Sequence, residues 1–163
     1  MISWGQFTKQ RPDLATAGRQ LLYQFGVGLA FLATTRADGA PRVHPMCPLL
    51  TVEGLFAFIV PSPKRKDLRR DGRYAMHSFP ADDNEDAFSL AGRAEEVTDP
   101  SLIGDLTRQY LEERAMGEPP AAMSTWEPFE FSLSSCLLTR TIGHGDPAAK
   151  NTAWHAPETS PHS

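Results

Sequence analysis

An apolar run at residues 55–60, "LFAFIV", leads without a linker into "PSPKRKDLRRDG" at residues 61–72. Pro61 and Pro63 have no amide hydrogen to offer a sheet, so a strand over the apolar run must end there. Ser62 is a favoured helix N-cap, Pro63 suits the first helical position, and the following eight residues form helix readily. The chain is therefore expected to pass from a strand directly into a helix N-terminus. Free N–H groups and the positive end of the helix dipole collect at such a corner and can bind an anion. Residues 64–73 hold six basic and two acidic side chains, although the whole chain carries −4. Lys64 and Arg65 fall in the first turn, where cations disfavour the helix unless an anion compensates them. Lys66, Arg69, Arg70 and Arg73 alternate with Asp67 and Asp71 and read as solvated i,i+4 pairs. Helix-terminus chemistry alone leaves two readings of Ser62 and Lys64, an exposed helix start or a phosphate site.

The remaining segments place this corner in a mainly β chain. Ser3 is positioned to cap a short helix ending near Gln10, and "DLATAGRQLLYQFG" reads as a second helix. "GLAFLATTR", the turn "ADGA" and "PRVHPMCPLLTV" give a hairpin. "RYAMHSF" and "AFSLAGRAEEV" follow as strands, the latter with a bend at Gly92. Asp99 and Pro100 open a helix through "SLIGDLTRQYLEERA", and "PFEFSLSSCLLTRT" is a closing strand. Six antiparallel strands, peripheral helices and one long crossover point to a small barrel over residues 1–142. Residues 143–163, rich in Gly, Pro and Ser, are expected to be irregular, with the last few disordered.

Several function classes are disfavoured by composition. A pI near 5.7 provides no broad positive field for nucleic acid. No apolar run approaches the ~20 residues of a membrane helix, and no secretory signal is visible near the N-terminus. Two distant cysteines, Cys47 and Cys136, suggest neither a disulfide framework nor a zinc site. A reduced cytoplasmic setting is the expectation.

The ordered set "FLATTRADGAPRVHPMCPLL", "GLFAFIVPSPKRKDLRRDGRYAMHSF" and "FSLAGRAEEV" resembles the FMN-binding split barrel of the pyridoxamine 5'-phosphate oxidase-like family. The resemblance covers about residues 20–142. It implies a six-stranded, Greek-key-like split β-barrel, a homodimer with cofactor at its interface, and oxidoreductase activity on a small molecule. Carried over by position, Arg42, Ser62 and Lys64 would hold the FMN phosphate, with Arg65 beside them. Residues 43–46 (Val43, His44, Pro45 and Met46) would lie against the flavin ring. His44 has a second reading as a partly exposed strand residue, and Pro45 suggests an edge strand or a ligand approach. His77 and Ser78 are further candidates. Trp154 could stack on a flavin or simply belong to an irregular tail.

Departures from the pattern bear on the reaction. Cys47 stands where the oxidases carry a further lysine, Ala87 where they carry a glutamine, and "TAWHAPETSPHS" lacks their C-terminal substrate-gripping arginine motif. Vitamin B6 oxidation is therefore not expected. A deazaflavin coenzyme remains open beside FMN, as does a non-catalytic protein that stores a flavin or haem. No nucleophile system is apparent.

Overall fold

The computed structural model describes residues 1–157, and the disorder expected of the last few residues concerns positions beyond these. Helices α1 (Trp4–Gln10) and α2 (Pro12–Leu22) come first. Strands β1 (Ala30–Thr35), β2 (Pro41–Met46), β3 (Leu49–Leu50) and β4 (Leu55–Ile59) follow, then α3 (Pro63–Arg70). After it come β5 (Arg73–Ser78), β6 (Ala87–Glu96), α4 (Pro100–Glu113), a 3-10 turn (Ala121–Thr125), β7 (Glu127–Arg140) and β8 (Lys150–His155). The strands form one antiparallel sheet in the order β2-β1-β5-β6-β7-β4-β3, with β8 also paired to β7, and the sheet curls into a half-barrel.

The local signals act as their chemistry requires. Ser3 and Gln6 close a reciprocal capping box on α1. Asp99 accepts from the Ser101 amide to start α4, with Pro100 at its first position. Gly92 marks a register shift between β6 and β7. A Cβ there would stand 1.8 Å from the Ser132 carbonyl oxygen, so the bulge excludes every side chain.

The count of eight strands, against the expected six, has two causes. The strand expected across residues 41–52 divides after Met46, and Leu49–Leu50 pairs instead with β4. The tail, expected to be irregular, contributes β8, whose residues Lys150 to His155 pair with β7. Strand β7 is long enough to share one edge between two partners: β4 covers its start and β8 its end, with Ile2 bridging Leu133 between them. Only Trp154 of β8 is buried, so the segment lacks the alternation that would reveal a strand.

The helices α1 and α2 lie over the inner face of the sheet. Trp4, Phe7, Leu14, Leu21 and Leu22 join Phe88, Phe131 and Leu133 in the main core. Gly18 brings α2 so close that its missing Cβ would fall 2.4 Å from the Phe88 ring. A second cluster of Leu49, Phe56 and Leu106 seats α4 against β3 and β4. No helix among the described residues is long and apolar enough to cross a membrane.

Candidate functional site

The edge strand β2 and the start of α3 carry the candidate site. Among the described residues strand β2 pairs only with β1, which leaves its other edge open, in keeping with Pro45 in a strand. Cross-strand partners share a face, so Arg42, His44 and Met46 project with Thr34, Leu32 and Ala30, and Val43 and Pro45 with Ala33 and Phe31. Val43, His44 and Pro45 are exposed. The Met46 side chain is buried in the main core, so the ring contact expected of residues 43–46 would be made at this position by backbone alone.

At the strand-to-helix corner, Ser62 is the N-cap of α3. Its Oγ accepts from the Arg65 amide at 3.4 Å and donates to the Val60 carbonyl at 2.9 Å. That hydroxyl thus shapes the helix start, and its proton is already committed. Lys64 is half-buried and has no hydrogen bond or ion pair among the described residues. Burial pushes its ammonium below 10.5, with Cys47 partly offsetting the shift. An unpaired, partly desolvated ammonium is a strong attractor for an anion.

Arg65, expected beside the phosphate, turns elsewhere. Its Nη1 donates to the Thr125 carbonyl at 2.8 Å, and its Nε lies 3.1 Å from Glu127 Oε2. Arg69 joins the same cluster through Glu96 and Glu127. These pairs fasten α3 to the start of β7.

Arg42 meets a residue that the charge pattern assigns to solvent. Asp67 is only 4% exposed, on the same face of α3 as Lys64 and Leu68. Its Oδ2 accepts from Arg42 Nε at 2.8 Å and Thr34 Oγ1 at 3.1 Å, and its Oδ1 from Arg70 Nη1 at 3.2 Å. Burial pushes the carboxyl up, but the hydrogen bonds from Arg42, Thr34 and Arg70 outweigh it and hold the group below its ordinary value. Arg70, expected in solvent, also donates to the Thr35 carbonyl. Thr34, Asp67 and Arg70, which the structure joins to Arg42, are candidate site residues that sequence reasoning missed. The available signal was helical spacing, since Asp67 lies three residues after Lys64 and immediately before the buried Leu68.

Only the Nε of Arg42 is engaged; its two terminal nitrogens have no partner among the described residues. Arg42 also lines a cleft of about 330 Å3 with Arg36, Pro63, Lys66, Asp67 and Arg70, and Lys64 is not among its walls. One helical turn separates Lys64 from Asp67, so Arg42 docks roughly 5 Å along α3 from the position of Lys64.

The other candidates fall away from this pair. Ser78 is fully buried and its Oγ accepts from the Phe88 amide at 3.0 Å, so it holds the turn between β5 and β6 rather than a ligand. His77 is exposed on the outer sheet face, with Nδ1 2.7 Å from the Ser78 carbonyl. Trp154 is 9% exposed and packs in the core against Phe7, with ring centroids 4.8 Å apart. It is a core residue of β8, occupied on its ring by Phe7, and this corrects the expectation of stacking on a flavin.

No family profile and no curated protein matches the sequence. Solved structures do. A protein of the pyridoxinephosphate oxidase family from Clostridium acetobutylicum, related to a general stress protein, is similar over 93% of this chain and 95% of its own, with 13% identity and a TM-score of 0.59. An F420 reductase is similar over 72% of this chain and 94% of its own, with 22% identity and a TM-score of 0.55. A haem storage protein from Vibrio cholerae is similar over 75% and 88%, with 15% identity and a TM-score of 0.57. The curled antiparallel sheet, its peripheral helices and these matches together give the chain the split-barrel fold of the pyridoxamine 5'-phosphate oxidase-like proteins.

Proposed function

We propose that this chain binds FMN and transfers hydride or electrons between the flavin and a small molecule. The observation that carries the reading is Lys64, a half-buried ammonium with no partner among the described residues, on the helix face where Arg42 docks. Two cations with free donors beside an open strand edge suit a dianionic phosphate attached to a flat ring. In this reading Lys64 and the Arg42 terminus bind the phosphate, while Ser62 sets the helix start from which Lys64 projects. The exposed edge formed by Val43, His44 and Pro45 gives the ring a surface to lie against. FMN, when bound, supplies the redox chemistry; the protein contributes binding, orientation and the shape of the cleft. A second copy of the chain is the expected partner, covering the outer sheet face where Phe31, Val43 and Leu137 are exposed. The free cysteines Cys47 and Cys136 accord with a cytoplasmic setting.

A deazaflavin coenzyme is the second reading. It is favoured by Cys47 and Ala87, which supply fewer polar contacts than FMN enjoys in the oxidases, and by the likeness to an F420 reductase. Haem storage is the third, on the likeness to the Vibrio cholerae protein.

Charge-assisted hydrogen bonds are worth about 1.5–3 kcal/mol each. Replacing Arg42 and Lys64 together with alanine is therefore expected to weaken FMN binding by about 100-fold or more, and to leave riboflavin affinity unchanged. Equal loss for both ligands would overturn the phosphate assignment. Reduction of the bound flavin by a nicotinamide donor, followed by reoxidation with an added acceptor, separates the enzyme from the storage protein.

A further inference from the structure

Arginine offers two separable sets of donors, the Nε–H and the fork of terminal nitrogens. At Arg42 these sets part company. The Nε is held by Asp67 Oδ2 at 2.8 Å, and the terminal nitrogens are left without a partner among the described residues. Asp67 itself is fixed from three directions, by Arg42 on β2, Thr34 on β1 and Arg70 on its own helix. It is also nearly inaccessible, at 4% exposure, while the Arg42 side chain keeps 26% of its surface in solvent. A buried carboxylate that grips the base of a partly exposed guanidinium restricts its direction, and it does so on an edge strand that no other described strand pairs on its far side.

We infer that Asp67 is a positioning residue, which holds Arg42 by its Nε so that the terminal fork is presented to the phosphate of a bound cofactor. The inference rests on the cofactor reading above and adds to it a residue that touches no ligand. The competing account is a purely structural clamp between α3 and the first two strands of the sheet. Both accounts use the same three hydrogen bonds, but only positioning ties Asp67 to the phosphate in particular. A held fork can meet two phosphate oxygens at once, with little rotamer freedom left to lose on binding.

The test measures affinities of the full-length chain for FMN and for riboflavin, with the melting temperature of each variant. The unaltered protein is expected to prefer FMN. Asp67→Asn removes the charge at constant shape, and should weaken FMN binding by about ten- to a hundredfold, the range seen when an orienting partner is lost, while riboflavin binding holds. Adding Arg42→Ala to Asp67→Asn should cost FMN little more than Arg42→Ala alone, because the two act through one contact. Arg42→Lys is the second variant, and it stands even if Asp67→Asn does not fold. Lysine can pair with Asp67 or reach the phosphate, and it has no fork with which to do both. It should therefore keep most of the stability and bind FMN as poorly as Arg42→Ala. An FMN preference that survives Asp67→Asn, additive losses in the double variant, or full FMN affinity in Arg42→Lys would each remove the positioning role. A wild-type chain with no preference for FMN over riboflavin would instead remove the cofactor reading, and this role with it.

Discussion

Replacing Trp154 with alanine separates a core role from a cofactor role. The indole is 9% exposed, tilts 58° against Phe7 at 4.8 Å, and belongs to the main core with Trp4, Phe88 and Leu138. Truncating a buried tryptophan costs about 3–5 kcal/mol, and a paired aromatic contact contributes roughly 0.5–1.5 kcal/mol of such losses. Among the described residues strand β8 pairs on one side only, and it carries no other buried side chain, so part of the cavity can close by local movement. About 3 kcal/mol is thus the expected loss. In a chain of this length that corresponds to a fall in Tm of roughly 6–12 °C. Urea unfolding followed by far-UV circular dichroism measures it, and Trp154→Phe, which keeps a ring against Phe7, should recover at least half. FMN affinity measured on folded protein should not move. A loss below about 1 kcal/mol together with a marked drop in FMN affinity would refute the core assignment and restore the tryptophan to the site.

Three further outcomes follow from particular atoms. Lys64 is held below 10.5 by burial, and a phosphate favours its charged form, so FMN affinity should fall as pH rises through the lowered Lys64 pKa. Fluorescence titration across alkaline pH checks this; riboflavin should show no such slope, and Lys64→Ala should remove it for FMN. At the β6 bulge, Gly92→Ala sets a Cβ against the Ser132 carbonyl and should cost roughly 3 kcal/mol by urea midpoint. Gly104→Ala, which meets nothing within 4 Å on α4, should instead stabilise by about 0.5–1 kcal/mol.

The candidate site was half legible. Alternation along a strand places Arg42 on a face with His44 and Met46, and the Pro61–Ser62–Pro63 corner places Lys64 in a first helical turn, whereas the phosphate role of both comes from the family resemblance and not from local pattern. The pairing of Arg65 was not legible because its partners, Thr125 and Glu127, are about 60 residues away. The burial of Ser78 was not legible for a similar reason, since its hydroxyl accepts from the amide of Phe88 across the β5–β6 turn.

What the sequence determined alone is the set of features set within about four residues. These include the caps at Ser3, Ser62 and Asp99, the end of β4 before Pro61, and the bulge or bend at Gly92. Backbone sterics and first-turn hydrogen bonds govern these, and both are encoded by near neighbours. Only the tertiary structure decided that Asp67 leaves solvent to hold Arg42, and that the tail returns as β8 to bury Trp154. A carboxylate or an indole is buried only where strands distant in sequence supply its donors or its apolar walls, and no local pattern specifies which strands will meet.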